Sequence, residues 1–397
     1  MSLSCMWGVD LTHTSHTGAQ TGIQQVCRDL MAGLAGDGFA KPLVHDRFSR
    51  HWREPDRRES ILLDDPERFG PTRRRSSSWT LRQRLRGRFM SLFRPSPTRA
   101  LSGLEGLFAP EIFDPLRDQA LLTCPIPRAA LFYDAIPLLH PEWTPAGTVR
   151  RFPAYLRTLA RLDLVCCISR SSERDLLHYW DEQKLQASAR TVAVPLGLPR
   201  SRVPRSPVGD PRATSGRVPV ILMIGTLEAR KNHLALLEAA ESLWARGLRF
   251  ELKLVGMLNR ETGAPVRERI GKLQQRQRPL TWPGALPEAA LMQALREADL
   301  FVYPSRYEGF GLPVLEALAH GIPCITSDNS ALRELTGNGG VLTCGVGAES
   351  IAGALEALLR FPQKREALRQ EALARPVRTM ADACADLRGH LSTLLQA

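Results

Sequence analysis

The amino-acid sequence predicts an α/β protein with two domains, each built on a parallel sheet, and three observations support this fold class. The 397 residues exceed one ordinary hydrophobic core, while 43% of them are hydrophobic, as expected of globular domains. Short apolar runs alternate with segments of helical spacing in the C-terminal half. Residues 198–217, between the halves, are so rich in Pro, Arg, Ser and Gly that they indicate a linker.

The alternation is clearest after residue 217. Apolar runs bounded by glycine or polar residues predict four strands, at 218–224, 250–255, 300–303 and 322–326. Leucine and alanine at helical spacing predict five helices, at 233–246, 288–298, 313–320, 350–360 and 381–395. Strands and helices in this order predict a parallel sheet that is covered by helices on both faces.

The N-terminal half shows the same order less regularly. Strands are predicted at 7–11, 129–133 and 164–168, and a helix at 23–34 follows a loop rich in Gly and Thr. We therefore expect two Rossmann-like domains facing each other across a cleft. The expected boundaries are 1–200 for the first domain, 201–217 for the linker, 218–380 for the second domain, and 381–397 for a helix that packs toward the first domain.

Composition limits the class of protein. No run of 18 apolar residues is long enough to span a bilayer, and the first residues lack the basic start and apolar stretch of a secretory signal. The eight cysteines include no Cys-x-x-Cys pair, which is typical of thiols in a reducing compartment. These features predict a cytoplasmic protein.

The net charge of +12 and the pI near 9.7 permit a nucleic-acid-binding interpretation. Much of the excess positive charge, however, lies in residues 73–99, and a local basic segment equally suits a membrane surface or an anionic substrate. The nucleic-acid interpretation also leaves the motif at residues 303–316 unexplained. We therefore expect no nucleic-acid partner.

Residues 79–93 of this basic segment have the pattern of an interfacial helix. Four apolar residues fall on one helical stripe, Leu81, Leu85, Phe89 and Leu92. Arginines flank the stripe at positions 82, 84, 86 and 88, and no acidic residue lies between 71 and 99. The pattern predicts docking on an anionic membrane; the alternative is a surface helix whose Leu and Phe side chains pack on their own domain.

The segment from Tyr303 to Glu316, YPSRYEGFGLPVLE, carries the strongest functional signal. A strand ends, a loop with one carboxylate and two glycines follows, and Pro313 marks a helix start with Glu316 expected in its first turn. Ligands of parallel sheets bind outside the carboxyl ends of the strands, where this loop lies. Its glycines allow close backbone approach, and the helix N-terminus favours negative charge. The alternative is a glycine-rich turn with two solvated acids.

This segment resembles the signature of the retaining glycosyltransferase family 4, whose members have the two-domain GT-B fold. The resemblance extends from about residue 218 to about residue 359. It implies that Glu308 binds hydroxyls of the donor sugar and that Glu316 binds the ribose of the nucleotide. It also implies that the backbone from Gly309 through Phe310 and Gly311 to Leu312 faces the donor.

A second site segment, Gly225 to Asn232, follows the first strand of the second domain. A lysine at a strand-to-helix junction suits a diphosphate leaving group, which gains negative charge as the glycosidic bond breaks. By resemblance, Lys231 is the phosphate-binding lysine of the family. The family's arginine directly after the glycine is replaced by Thr226, and Arg230 is assigned to the donor site in its place.

The first domain contributes two candidate segments. The loop from Gly18 to Gly22 resembles the family's N-terminal glycine loop, which closes over the donor, although a plain tight turn is the alternative. Gln25 stands where relatives carry arginine. After the strand at 129–133, Tyr133 replaces the family's histidine while Asp134 is retained, and we expect Asp134 to orient a hydroxyl of the acceptor or of the donor sugar.

The remaining expectations also follow from the resemblance. Gly284, Ala285 and Leu286 fall where relatives bind the base through backbone groups. No Asp-x-Asp motif follows a strand, so no metal is expected to be required and Lys231 is expected to stabilise the diphosphate. We expect no cofactor other than the nucleotide-sugar substrate, and the Gly225–Asn232 variant favours GDP-mannose as that donor.

The sequence therefore predicts transfer of a hexosyl unit, mannosyl being favoured, from a nucleoside diphosphate sugar to an acceptor hydroxyl. By resemblance, the anomeric configuration is retained and the acceptor is a glycan or a lipid-linked molecule. The alternative enzyme is a nucleotide-sugar epimerase on the same fold, which would lack an acceptor pocket.

Overall fold

The computed structural model describes residues 6–18, 22–36, 38–65, 79–92, 99–204 and 217–396. Two sheets, one mainly and one fully parallel, are each flanked by helices and form two domains, and the predicted α/β class with two Rossmann-like domains is confirmed. Residues 205–216 of the predicted linker lie outside the described residues. None of the described helices is long and apolar enough to cross a membrane.

The first domain is built on a seven-stranded sheet with the order β3-β2-β1-β4-β5-β6-β7, in which only the β2–β3 pair is antiparallel. The strands are β1 (Trp7–Asp10), β2 (Ala40–Asp46), β3 (His51–Arg53), β4 (Gly106–Ala109), β5 (Arg128–Phe132), β6 (Leu164–Cys167) and β7 (Arg190–Ala193). The helices are α1 (Gly22–Ala35), α2 (Arg57–Asp64), α3 (Leu81–Leu92), α4 (Pro115–Leu122), α5 (Ile136–Leu139), α6 (Ala146–Leu159) and α7 (Arg170–Glu182).

Alternate residues of the central strands enter two separate cores, one on each face of this sheet, because successive side chains of a strand point to opposite faces. On β4, Leu107 belongs to one buried cluster and Phe108 to the other. On β5, Phe132 belongs to the same cluster as Leu107, and Leu131 belongs to the same cluster as Phe108. Burial on both faces explains why these strands are continuous apolar runs in the sequence.

The second domain is built on a six-stranded, fully parallel sheet with the order β10-β9-β8-β11-β12-β13. Its strands are β8 (Val220–Ile224), β9 (Glu251–Val255), β10 (Leu280–Thr281), β11 (Leu300–Tyr303), β12 (Cys324–Ser327) and β13 (Val341–Cys344). The helices are α8 (His233–Ala245), α9 (Ala264–Gln275), α10 (Glu288–Glu297), α11 (Leu312–Ala319), α12 (Leu332–Thr336), α13 (Ala348–Arg360), α14 (Pro362–Ala374) and α15 (Met380–Leu394).

The strand order places the candidate site. In the second domain β8 lies beside β11, so the direction of winding reverses between them and the loops that follow both strands are neighbours. Such a switch point at the carboxyl ends of parallel strands is the usual ligand-binding position of this architecture. The two strongest sequence motifs lie in the loops after these two strands.

Helix α15 returns to the first domain. Its buried residues Ala383, Cys384 and Leu387 share a hydrophobic cluster with Leu30 of α1. The chain thus crosses between the domains twice, and the two crossings are hydrogen-bonded to each other, since the N–H of Met380 donates to the carbonyl of Leu198 at 2.8 Å.

Candidate functional site

Lys231 ends a short 3-10 turn, Ala229–Lys231, that follows β8. Asn232 closes the turn in the left-handed conformation, with φ 63°. Its side-chain amide donates to the carbonyls of Pro304 at 3.1 Å and Val346 at 2.7 Å. These bonds tie the turn after β8 to the loops after β11 and β13, so the sheet itself fixes the position of Lys231.

Glu308 lies in the loop of residues 304–311 between β11 and α11, which we call the donor loop. One carboxylate oxygen is 2.6 Å from Nζ of Lys231, and the other is 2.8 Å from the guanidinium of Arg230. The hydroxyl of Ser305 also donates to this carboxylate, and the backbone N–H of Glu308 donates to the hydroxyl of Ser330. Three residues expected to hold the donor therefore form one buried network.

This network keeps Glu308 ionised. Burial raises the pKa of its carboxyl, but the charges of Arg230 and Lys231 and two hydrogen bonds outweigh burial and bring the pKa to about 2. Burial and the neighbouring charge of Arg230 lower the pKa of Lys231. The negative charge of Glu308 raises this pKa but does not outweigh them. Arg230 also pairs with Glu228 at 2.7 Å. Two cations are thus balanced by two carboxylates.

The second acid of the motif is one residue further along its helix than expected, which places it just beyond the first turn. Helix α11 begins at Leu312, because Gly311 adopts a left-handed conformation (φ 106°) at its N-cap. Pro313 is therefore the second helical residue, and Glu316 lies in the second turn rather than the first. The prediction placed it wrongly because the proline, and not the glycine, was taken as the start signal.

Glu316 is buried, and its partners are separate from those of Glu308. The guanidinium of Arg202, from the segment that leaves the first domain, lies 3.1 and 3.3 Å from the two carboxylate oxygens. Burial raises the pKa of Glu316, whereas the charge of Arg202 lowers it. The two acids of the motif are thus held by different cations, which is consistent with binding different parts of one ligand.

Asp134 follows β5 and faces the donor loop from the first domain. One carboxylate oxygen accepts a hydrogen bond from the N–H of Ile136 at 3.0 Å. A Cβ atom on Gly309 would lie 2.8 Å from the carbonyl oxygen of Tyr133 and 3.1 Å from a carboxylate oxygen of Asp134. Only glycine therefore permits this close approach of the two domains.

A cavity of about 300 Å3 lies between the domains. Asp134, Ile136 and Trp143 line it from the first domain, and Glu228 and Arg230 line it from the second. Burial raises the pKa of Asp134, and the charge of Arg230 across the cleft opposes this effect. Lys231 and Glu308, the other two residues predicted to be catalytic, do not line this cavity, but their charges act on Asp134.

Two positions of the first domain depart from the family pattern, and both side chains are engaged. The hydroxyl of Tyr133 donates to the carbonyl of Pro110 at 2.8 Å and is directed into the first domain. The amide of Gln25 donates to both oxygens of Asp29, at 3.0 and 3.1 Å. Residues 19–21 of the predicted glycine loop lie outside the described residues. Its ends are described: Gly18 is partly buried, and Gly22 is exposed at the start of α1.

The predicted base-binding segment follows β10 at the carboxyl edge of the second sheet. The carbonyl of Gly284 accepts from the N–H of Gly256, after β9, at 2.9 Å, and the indole of Trp282 donates to the carbonyl of Gly256. Ala285 is exposed and Leu286 is half-buried. In the donor loop, the side chain of Phe310 joins the buried cluster of the first domain, so its backbone is the part left for a donor.

Several residues of the site were not predicted as such. The hydroxyl of Tyr303 accepts from Lys231, whose Nζ lies 4.8 Å from the tyrosine ring. Tyr303 and Ser305 belong to the quoted motif, so their proximity was available from the sequence. The hydroxyl of Tyr307 donates to Asp175 across the cleft, and that of Ser172 donates to the carbonyl of Gly309 at 3.3 Å. No local signal indicated these interdomain contacts.

In the described part of the chain, no group of three or more His, Cys, Asp or Glu side chains is arranged to hold a metal ion.

Comparison with known proteins identifies relatives of both the sequence and the fold. Residues 211–375 match the family described as glycosyl transferases group 1. The chain is 25% identical over 381 residues to the serotype-specific mannosyltransferase WbdA of Escherichia coli, covering 91% of this chain and 44% of that protein. It is 30% identical over 224 residues to the O-antigen chain mannosyltransferase B of Escherichia coli, covering 53% of this chain and 55% of that protein.

The chain therefore spans less than half the length of the first of these relatives. Among solved structures, the sucrose-phosphate synthase of Thermosynechococcus elongatus matches with a TM-score of 0.67 at 18% identity, over 98% of this chain and 99% of that one. At this identity the likeness concerns the fold, and it confirms the GT-B architecture expected from the resemblance.

Proposed function

We propose that the chain, whose residues 211–375 match the group 1 glycosyl transferases, transfers a mannosyl unit from GDP-mannose to an acceptor hydroxyl, with retention of configuration. The proposed acceptor is a glycan or a lipid-linked glycan of surface polysaccharide or glycolipid assembly. The names of the mannosyltransferases to which the chain is similar support the sugar and the acceptor class.

The observation that carries this proposal is the network of Lys231, Arg230 and Glu308 beside the interdomain cavity. A departing diphosphate needs fixed positive charge, which Lys231 and Arg230 supply from the turn after β8. Glu308 then exchanges its bonds to these cations for bonds to hydroxyls of the donor sugar. Glu316, on the adjacent helix, accepts from the ribose of the nucleotide.

The proposed reaction is a same-face displacement. The acceptor oxygen bonds to the anomeric carbon while the bond from that carbon to the phosphate oxygen breaks, and the acceptor proton passes to an oxygen of the leaving diphosphate. Asp134 orients the acceptor hydroxyl from the first domain. Lys231 and Arg230 balance the charge of the leaving group, so a divalent ion is not part of the proposal.

A transfer assay tests this proposal. We expect radiolabelled mannose to pass from GDP-mannose to a mannose-terminated acceptor at least about tenfold faster than the sugars of UDP-, ADP- or dTDP-donors. Product NMR should show an α-anomer, and a chelator should leave the rate unchanged. Release of an isomerised nucleotide sugar without acceptor would favour the epimerase instead, and a β-anomeric product would contradict retention.

An anionic membrane is the second proposed partner. We propose that residues 79–93 of the protein bind to the inner face of this membrane. Helix α3 turns the side that carries Gln83 toward the first domain: the amide of Gln83, only 4% exposed, donates to the carboxylates of Glu59 at 2.8 Å and Asp56 at 3.0 Å. Trp79 stacks on His16, with ring centroids 3.9 Å apart. These contacts fix the helix to the first domain and leave its apolar side outward.

The outward side of α3 combines apolar surface with positive charge. Leu81, Leu85 and Phe89 are 71%, 59% and 59% exposed, so the alternative that they pack on their own domain is not what the structure has. Four exposed arginines border them, Arg82, Arg84, Arg86 and Arg88. Residue 93 and the side chain of Leu92 lie outside what the structure describes. An exposed apolar stripe with arginine borders is the arrangement of a helix that lies in a membrane interface.

A further inference from the structure

Arg202 joins the nucleotide-binding acid of the second domain to the segment that connects the domains. One Nη atom lies 3.1 and 3.3 Å from the two carboxylate oxygens of Glu316, and the other lies 3.1 Å from a carboxylate oxygen of Glu288. Glu316 is 3% exposed, whereas the side chain of Arg202 is 29% exposed. The guanidinium thus covers a buried carboxylate and still reaches solvent.

The position of Arg202 is set where the two segments that connect the domains, residues 197–198 and 378–380, lie side by side. Leu198 and Arg378 are hydrogen-bonded, the N–H of Leu198 donating to the carbonyl of Arg378 at 3.0 Å. A Cβ atom on Gly197 would lie 2.0 Å from the carbonyl oxygen of Thr379, so glycine is required for this approach. A 3-10 turn at Arg200–Arg202 follows directly. Arg202 therefore extends from a fixed point between the domains.

The charge of Arg202 opposes protonation of Glu316, whose pKa burial raises on balance above that of an ordinary glutamate. Burial and the neighbouring carboxylate of Glu288 raise the pKa of Glu316, and the guanidinium of Arg202 opposes both. A protonated carboxyl offers fewer acceptors to a pair of ribose hydroxyls than a carboxylate does. Because its other Nη is bonded to Glu288, the guanidinium presents the first Nη to Glu316 in a fixed direction, which a single ammonium group does not.

We infer that Arg202 is a positioning residue for the nucleotide: it holds the carboxylate of Glu316 oriented to receive the ribose diol of a nucleoside diphosphate. The inference rests on the proposed role of Glu316 in donor binding. If Arg202 has this role, the affinity for the nucleotide depends on a side chain in the segment that connects the domains, far in sequence from the donor loop.

Calorimetry with GDP and with 2′-deoxy-GDP tests this inference on the full chain. Arg202→Gln should weaken GDP about tenfold, the effect expected of hydrogen bonds to a charged group, and should weaken 2′-deoxy-GDP much less. Arg200→Gln is the matched control, since Arg200 is exposed on the same turn and the charge change is equal. It should bind both nucleotides as the wild type does.

The outcomes separate this inference from the proposed function. If Arg202→Gln binds GDP as the wild type does, or weakens both nucleotides equally, the positioning role is wrong. If the wild type binds none of GDP, UDP, ADP and dTDP, the proposed function fails instead. Arg202→Lys, which keeps the charge but lacks the second nitrogen that binds Glu288, should restore part of the discrimination, and melting temperatures report whether each variant is folded.

Discussion

The carboxylate of Glu334, in the second domain, accepts a hydrogen bond from the backbone N–H of Ser171, in the first domain, at 2.7 Å. The adjacent N–H of Arg170 donates to the other oxygen at 3.1 Å. A carboxylate of one domain therefore occupies the N-terminus of helix α7 in the other, where free N–H groups and the helix dipole favour negative charge. This contact holds the two sides of the candidate site together.

Glu334→Ala should favour separation of the domains. Loss of two charge-assisted hydrogen bonds at a helix N-terminus costs about 1–2 kcal/mol of the closed arrangement. Small-angle scattering should show a larger radius of gyration for this variant without nucleotide. Glu349→Ala, which removes an exposed acid from the first turn of α13, is the control. Equal radii for the two variants would contradict a role of Glu334 in closure.

Lys231→Ala should lower turnover far more than it lowers stability. Removing a fixed donor beside a developing negative charge costs roughly a hundredfold or more in rate, and Arg230 remains to pair with Glu308. Steady-state kinetics at saturating donor, together with a thermal melt, checks this. Lys272→Ala, on the exposed face of α9, is the control and should be unchanged. Near wild-type turnover in Lys231→Ala would remove this residue from the reaction.

The two acids of the motif should have separable effects on binding. Glu316→Gln should weaken GDP and GDP-mannose alike, by about tenfold, because the ribose is common to both. Glu308→Gln should weaken only GDP-mannose, because its proposed partners are hydroxyls of the sugar. Calorimetry with the two ligands distinguishes the roles, and the reverse pattern would mean that the assignments are exchanged.

Glu308 should make the folded state sensitive to acid. Its pKa is about 2 in the folded chain against 4.5 for an ordinary glutamate, so its contribution to stability is present above pH 4.5 and is lost as the pH falls toward 2. Between pH 7 and pH 4, the free energy of unfolding of the wild type should fall by about 1 kcal/mol more than that of Glu308→Gln. Parallel urea titrations measure this difference; equal falls would mean that Glu308 is not held ionised.

Four of the six strands of the second domain were predictable because they are largely buried, whereas the edge strands β10 and β13, which are partly exposed, were not predicted. Continuous apolar runs located β8, β9, β11 and β12 to within two residues. In the first domain, β2, β3, β4 and β7 were not predicted. Strand β2 contains Lys41 and Pro42, and β7, at the sheet edge, begins with the exposed Arg190, so neither has a continuous apolar pattern.

The candidate site was predictable only where local sequence carries it. Lys231 and Glu308 each follow a strand, and parallel strands bring such residues to one edge. Arg202 lies 114 residues from Glu316 in a segment whose composition indicates a linker, so nothing local signals their contact. The apolar stripe on α3 was likewise visible in the sequence. Its outward direction, however, depends on the hydrogen bonds of Gln83 to Glu59 of α2 and to Asp56, the N-cap residue of α2.

Binding to anionic vesicles should depend on the outward side of α3. Each arginine near such a surface contributes about 1 kcal/mol, so four suffice for reversible attachment at low salt. The wild type should float with vesicles that contain an anionic lipid. A variant with serine at four positions of α3 should not float, those positions being Arg82, Arg84, Arg86 and Arg88.

A matched control separates this surface from net charge alone. Four exposed arginines of the second domain can be changed to serine for the same change in charge, namely Arg260, Arg267, Arg296 and Arg333. This control should still float, because its α3 is intact. Changing Leu81, Leu85 and Phe89 to serine should weaken flotation even at low salt, because the apolar stripe supplies the part of the attachment that salt does not screen. If the α3 arginine variant and the control float alike, α3 is ordinary surface and the acceptor does not require a membrane.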